Sequence, residues 1–192
     1  MLLAGPSGSG KSRVAALSAS PQLRLDDFYL DLDHPGLPRT LGIVDWDDLA
    51  SWDVDGALAA IVSLCTTGEA AVPTYDIATS RRVGRHALDL EGAPCFVAEG
   101  LFAADLVDAC REAGVLGDAL YLHRPRLLTM LLRFARDVAE HRKPIGVLLR
   151  RGLALYRAEP AIRARSLQLG CRPVSLREAL RVVEGRMHTR SS

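Results

Sequence analysis

The chain has 192 residues, 48% hydrophobic and 24% charged, which excludes a disordered tail and suits one globular domain burying roughly 70% of its unfolded surface. Its longest uninterrupted apolar stretch, Ala57 to Val62, is far short of the ~20 residues that cross a bilayer, and no basic segment with an apolar core precedes the glycine-rich start. The net charge of +1 hides an asymmetry: Met1 to His123 carries 8 Lys/Arg against 18 Asp/Glu, and Arg124 to Ser192 carries 16 against 5. The expectation is a soluble, cytoplasmic protein with no membrane partner, whose basic last third meets either a polyphosphate nucleotide or a nucleic acid.

In chain order, Met1 to Ala4 reads as the stub of a buried strand and Lys11 to Ser18 as the helix after it. Leu23 to Leu25 reads as a second strand, followed by a polar loop with Pro35, Gly36 and Pro38. Gly56 to Cys65 has helical periodicity, stopped by Gly68, and Asp53 stands where a helix cap belongs. Pro73 to Leu90, with Arg81, Arg82, Gly84 and Arg85, reads as an irregular hairpin beside the sheet. A buried strand over Cys95 to Ala98, a helix over Ala103 to Ala113 and a strand over Ala119 to Leu122 follow. A long helix from about Arg126 to Glu140, another after Ile145, a short strand near Leu167 to Cys171 and a helix from Leu176 to Val183 complete the order. Strands alternating with helices predict a parallel α/β sheet with right-handed crossovers. Cys65, Cys95, Cys110 and Cys171 lie far apart with no C-x-x-C pair, and are expected as reduced core thiols.

Gly5-Pro-Ser7-Gly8-Ser9-Gly10-Lys11-Ser12 fits G-x-x-x-x-G-K-[ST], after an apolar strand and before a helix. Glycines let successive backbone N–H groups of residues 5–12 turn toward one phosphate, and the following helix adds the positive end of its dipole. Lys11 would then face the β- and γ-phosphates and the Ser12 hydroxyl would ligate Mg²⁺, so ATP and Mg²⁺ are the expected cofactors. The sequence has no asparagine, which excludes the N-K-x-D element that reads guanine in GTPases, and no Ser-Gly-Gly signature of transporter ATPases.

Acids stand at two strand exits. Asp26 and Asp27 follow the second strand, where a carboxylate could take the proton of an attacking hydroxyl or merely shape a turn. Glu99 follows the strand at Val97-Ala98 and could hold magnesium through water. Asp45, Trp46, Asp47, Asp48, Trp52 and Asp53 form an acidic and aromatic segment suited to a hydroxyl-rich small molecule. Arg133, Arg136 and Glu140 share a helix face, and the His141 to Gly146 stretch breaks that helix, as a closing cationic lid over about 126–157 requires.

Together GPSGSGKS, D-D-F-Y at Asp26–Tyr29, the W-D element, P-x-Y-D at Pro73–Asp76, E-G at Glu99–Gly100 and R-x-x-R-D at Arg133–Asp137 resemble the uridine kinase and phosphoribulokinase-like family of P-loop kinases, over nearly the whole chain. The resemblance implies a P-loop parallel sheet of about five strands with helices on both faces, a small β-hairpin and a helical lid, as one domain over 1–192. It implies Asp26 as catalytic base, Asp47 as the acid holding ribose hydroxyls with Arg133 assisting, Tyr75 as the aromatic beside the base, and Arg136 and Arg142 as phosphate-contacting lid arginines. The family pattern is departed from at Ser80, where a histidine is usual, at Lys143, where a lid arginine is usual, and at Arg151, where a glutamine is usual. Uridine and cytidine are therefore expected to be poor substrates, and the preferred acceptor, at Lys143 and Arg151, is expected to offer a carboxylate, phosphate or strongly accepting ring edge beyond its hydroxyls.

The expected activity is an ATP-dependent transfer of the γ-phosphoryl group to a hydroxyl of a nucleoside or ribosyl-like molecule, a uridine kinase-like phosphotransferase acting on an alcohol group. Two alternatives stand beside it: a kinase of another hydroxylated metabolite, such as pantothenate or a sugar acid, and a non-catalytic ATP switch that binds nucleic acid or a protein through its basic third. The kinase reading takes a small-molecule hydroxyl acceptor and no nucleic acid, and it is compatible with a homo-oligomer.

Overall fold

The computed structural model describes residues 1–6, 8–40, 42–124 and 159–188. Alternation along short apolar strands builds its centre. β1 (Leu2–Ala4) sends Leu2 and Ala4 to one face and Leu3 to the other, and β7 (Val97–Glu99) and β8 (Ala119–Leu122) divide their side chains in the same way. With β2 (Gln22–Arg24) and β9 (Arg172–Val174) they form a parallel five-stranded sheet of order β2-β7-β1-β8-β9. Strands buried on both faces cannot show polar alternation, which is why they read as continuous apolar runs.

Helices cover both faces. α1 (Lys11–Leu17) and α5 (Leu176–His188) bury Val14, Ala15, Ala179 and Val183 against Leu3, Val97, Leu120 and Leu122. The other face carries α2 (Val54–Thr67), α3 (Val107–Glu112) and the helical residues 159–168, here α4, around Ala57, Ile61, Leu64, Val107, Trp52 and Phe102. Asp53 caps α2 by accepting the Gly56 N–H at 2.8 Å, and Gly68, at φ 83°, ends it. Outside the sheet, β5 (Glu69–Asp76) and β6 (Arg81–Asp89) form an antiparallel hairpin with an irregularity at Thr74/Tyr75, while β3 (Arg39–Thr40) and β4 (Ile43–Val44) make a small ladder.

The expected fold class stands, with two corrections. The segment expected as a strand near Leu167 to Cys171 is the end of α4: Ile162, Leu167 and Leu169 pack on the core, and Gly170, at φ 94°, closes the helix, with the Cys171 N–H donating to Ser166 O at 3.0 Å. The strand begins only at Arg172, and it tolerates Pro173 because β9 is an edge. Of the four cysteines expected in the core, Cys110 and Cys171 are buried, Cys95 is half-buried and Cys65 is exposed, one residue off the buried face of α2. The lid expected over about 126–157 lies outside the described residues, and no described helix is long and apolar enough to cross a membrane.

This topology decides where a ligand can sit. The chain leaves β1 toward β2 on one side and leaves β7 toward β8 on the other, so the strand order reverses between the adjacent strands β1 and β7. A crevice opens at the carboxyl ends of strands at such a point. The glycine-rich loop follows β1 and Glu99 ends β7.

Candidate active site

The loop between β1 and α1 is built to surround something small. Gly10, the residue before α1, has φ 98°, and a Cβ there would lie 3.7 Å from the Arg124 guanidinium carbon and 3.6 Å from Leu176. Ser9 is fully buried and its Oγ has no hydrogen-bond partner among the described residues. An orphaned buried hydroxyl in a cradle of backbone N–H groups fits a phosphate, which offers it an acceptor. Lys11, only 7% exposed, folds back over the loop and donates from Nζ to Gly5 O at 2.8 Å and Pro6 O at 3.3 Å. Gly5 and Gly8 belong to the same loop and Ser12 stands in the first turn of α1, whereas Ser7 lies outside the described residues.

Ser12 and Glu99 meet, as α1 and β7 flank the crevice. Ser12 Oγ donates to Glu99 Oε1 at 2.6 Å, and Gln22 Nε2 donates to the same oxygen at 2.8 Å. Gln22 reaches Glu99 because, on β2, it faces away from buried Leu23 and shares the α1 side of the sheet. A hydroxyl and a carboxylate side by side are hard oxygen donors and fit Mg²⁺, which takes one or two protein oxygens and completes its shell with water and phosphate.

The two acids after β2 point to different places. Both lie in the 3₁₀ turn Leu25–Phe28. Asp26 is exposed on the crevice side, where its Oδ1 accepts the Leu101 N–H at 3.2 Å, just past Glu99. Gly100 permits this approach, for a Cβ there would lie 2.7 Å from Leu25 Cβ and 3.0 Å from Asp26 Oδ1. Asp27 is buried, lies 3.7 Å from Arg24, and lines a separate cavity of about 130 Å³ with Thr74 and His86. Burial pushes the Asp27 carboxyl above its ordinary value, against the opposing pull of Arg24.

Next to Asp26 lies an aromatic wall. The Tyr29 ring stands 5.6 Å from Trp46, 5.8 Å from Tyr75 and 6.0 Å from Phe102, and its hydroxyl donates to Trp46 O at 3.1 Å. Burial raises the Tyr75 hydroxyl above its ordinary value, and that hydroxyl donates to Leu30 O at 3.4 Å. Trp52 is core: it is buried against Phe102 and donates from Nε1 to Leu25 O at 2.7 Å. Arg82 ties the hairpin to this wall, donating to Tyr29 O at 3.1 Å, Phe28 O at 3.0 Å and Asp53 Oδ2 at 2.9 Å.

Asp47 follows Trp46 into an open cleft of about 320 Å³ lined by Asp45, Asp47, Asp48, Leu49 and Arg165. The structure thus gathers Gly10, Lys11, Ser12 and Glu99 at the reversal of strand order, and connects them through Asp26 to Tyr29, Tyr75 and Asp47. Arg133, Arg136, Arg142, Lys143 and Arg151 lie outside the described residues. Residues that the sequence reading did not single out are Gln22, Arg82, Arg124 and Arg165. Gln22 was open to inference from strand parity beside Leu23, but the partners of Arg82 and Arg165 are too distant in sequence to leave a local signal.

No family model matches the sequence, and no curated protein matches it. Among solved structures, a fructose transport system kinase candidate from Silicibacter sp. TM1040 is similar with a TM-score of 0.56 and 23% identity, over 83% of this chain and 83% of that chain. A uridine kinase candidate from Bacillus stearothermophilus has a TM-score of 0.47 and 19% identity, over 72% of this chain and 78% of that one. The YGR205w protein has a TM-score of 0.45 and 16% identity, over 92% and 85%. The likeness to the first is one of fold: the parallel sheet with helices on both faces that P-loop kinases share.

Proposed function

We propose that this chain is an ATP- and magnesium-dependent kinase that transfers the γ-phosphoryl group to a hydroxyl of a small acceptor, in the manner of uridine kinase-like P-loop kinases. The observation that carries the reading is the meeting of Ser12 with Glu99 at 2.6 Å beside Lys11, with Asp26 bonded to the residue that follows the same strand exit.

The chemistry needs little beyond placement and charge. Backbone N–H groups of the loop and the Ser9 hydroxyl hold the phosphates, and Lys11 exchanges its carbonyl partners for phosphate oxygens. Ser12 and Glu99 would hold Mg²⁺, which when bound neutralises charge on the β- and γ-phosphates. The acceptor hydroxyl lies against Asp26, and its oxygen attacks the γ-phosphorus while its proton passes to the Asp26 carboxylate. The bond from the γ-phosphorus to the bridging oxygen breaks, and ADP carries away the electron pair. Asp26 keeps its place because Leu101 N–H holds one oxygen and leaves the other for the hydroxyl.

For the acceptor, an aromatic wall beside a carboxylate suits a polyol or ribosyl portion, with Asp47 and Tyr75 among its contacts. A nucleoside or ribosyl-like compound is one class, and a hydroxy acid such as pantothenate or a sugar acid is the other. The small-molecule reading is favoured over a polynucleotide partner by the use of the basic third within the fold. Arg165 pairs with Asp105, Arg172 with Asp118 at 3.3 Å, and Arg186 donates to Gly117 O at 3.0 Å. The test is ADP release from ATP with Mg²⁺ against nucleosides, sugars and hydroxy acids: stimulation by an acceptor supports the kinase, and turnover indifferent to every acceptor rejects it.

A further inference from the structure

Among the described residues, the Glu99 side chain is bonded by neutral donors alone. It is buried, at 6% exposed, and it ends β7, where the parallel register sets Arg24 of β2 directly across from it. A guanidinium at that position could close on the carboxylate, yet Arg24 lies 3.7 Å from Asp27 instead, with most of its side chain exposed. The contact to Glu99 comes from Gln22, two residues back on β2, opposite Val97 and on the same face of the sheet. Its long side chain leans forward along the strand, and Nε2 donates to Glu99 Oε1 at 2.8 Å.

An amide fixes a carboxylate without neutralising it. Ser12 and Gln22 both donate to Oε1, so that oxygen is held from two elements, α1 and β2. Among the described residues Oε2 has no hydrogen-bond partner, which leaves it for a metal or a metal-bound water. A lysine or arginine in place of Gln22 would make a similar bond but would compete with a divalent cation for the same charge. Carboxylates at metal sites are commonly held by such outer partners, and losing one costs roughly 10–100-fold in metal affinity.

We propose that Gln22 is a positioning residue for magnesium: its amide orients the Glu99 carboxylate and leaves the charge undiminished, so that Mg²⁺ binds together with the nucleotide. This rests on the reading of Ser12 and Glu99 as the metal site and deepens it.

The test compares ADP affinity in Mg²⁺ and in EDTA by calorimetry, and follows Mn²⁺ held by the protein and ADP by electron paramagnetic resonance. Neither measurement needs an acceptor or turnover. Gln22→Met keeps much of the side-chain length and removes the donor, so the ratio of the two ADP affinities should fall about 10-fold and Mn²⁺ affinity with it, while affinity in EDTA stays within about 2-fold. Gln22→Lys, which keeps a donor but adds a charge, should lower the ratio at least as far. In a Glu99→Gln background, Gln22→Met should lower it no further. Because each ratio is taken within one preparation, a loss of folded protein cancels from it. A ratio that Gln22→Met leaves unchanged, that Gln22→Lys holds at the wild-type value, or that falls as far without the Glu99 carboxylate overturns the inference while leaving the kinase reading in place. A wild type that binds ADP equally in Mg²⁺ and in EDTA rejects the metal site, and this inference with it.

Discussion

Ser12 Oγ donates to Glu99 Oε1 at 2.6 Å, a contact between residues 87 positions apart that joins the first turn of α1 to the end of β7. It places both expected magnesium ligands on one side of the crevice. Glu99→Gln keeps the size of the side chain but removes its charge, so the Mg²⁺ concentration needed for half-maximal activity should rise, with kcat falling roughly 10–100-fold as for loss of a metal-site partner. A magnesium titration of both proteins checks this, and an unchanged requirement separates Glu99 from the metal.

Asp26 and Asp27 are adjacent but should behave differently. Asp26→Asn should lower kcat by roughly 10²–10⁴, the range for loss of a general base, with ATP affinity nearly kept. Asp27→Asn should leave most activity and instead change stability. The Asp27 carboxyl is raised in the folded state, chiefly by burial, so its ionised form costs stability once pH passes above the ordinary value near 4. The Asp27→Asn melting temperature should therefore exceed the wild-type value at pH 7, and the gain should vanish below about pH 4. Thermal melts across pH 3.5–8 measure it.

How far this distinction was legible in the sequence depends on the distance over which each residue finds its partners. The glycine-rich loop and the Asp53 cap are local, so composition and spacing suffice for them. Helix and strand compete at Leu167 to Cys171 because alternating Leu167, Leu169 and Cys171 satisfy a period of two, while Ile162, Ser166 and Leu169, at i, i+4 and i+7, also lie on one helical face against the core. The alternation lost because Gly170 supplies the left-handed turn that ends a helix there. Which of two neighbouring acids is buried was open to no local rule, since Asp27 is covered by Thr74 and His86 of the hairpin, about 50 residues away.

Arg82 is the tie that holds the hairpin, and Tyr75 with it, against the 28–30 segment. Arg82→Ala removes donors from Phe28 O, Tyr29 O and Asp53. At roughly 1.5–3 kcal/mol for hydrogen bonds to a charged group, reduced by partial exposure, the cost should be about 2 kcal/mol, or a melting temperature lower by about 4–8 °C. The KM for the acceptor should rise more than the KM for ATP. Equal changes in both would place the hairpin outside the acceptor site.

Tyr121, on β8, buries its hydroxyl without a hydrogen-bond partner among the described residues, and burial pushes that hydroxyl up to about 12. Removing an unsatisfied buried group is neutral or stabilising. Tyr121→Phe should raise stability by up to about 1 kcal/mol, or about 2–4 °C, with activity retained. Calorimetry that found it destabilised by more than about 1 kcal/mol would mean that the hydroxyl has a partner.

The most direct measurement follows the label from [γ-³²P]ATP, with Mg²⁺ and an acceptor panel, in the wild type and in Lys11→Ala. A kinase should deliver the label to the acceptor in amounts equal to the ADP formed, and the Lys11→Ala protein should lose nearly all of this transfer, because water cannot replace a cation facing phosphates in a closed site. Label appearing as inorganic phosphate alone, at a rate no acceptor alters, would contradict phosphoryl transfer to a small molecule.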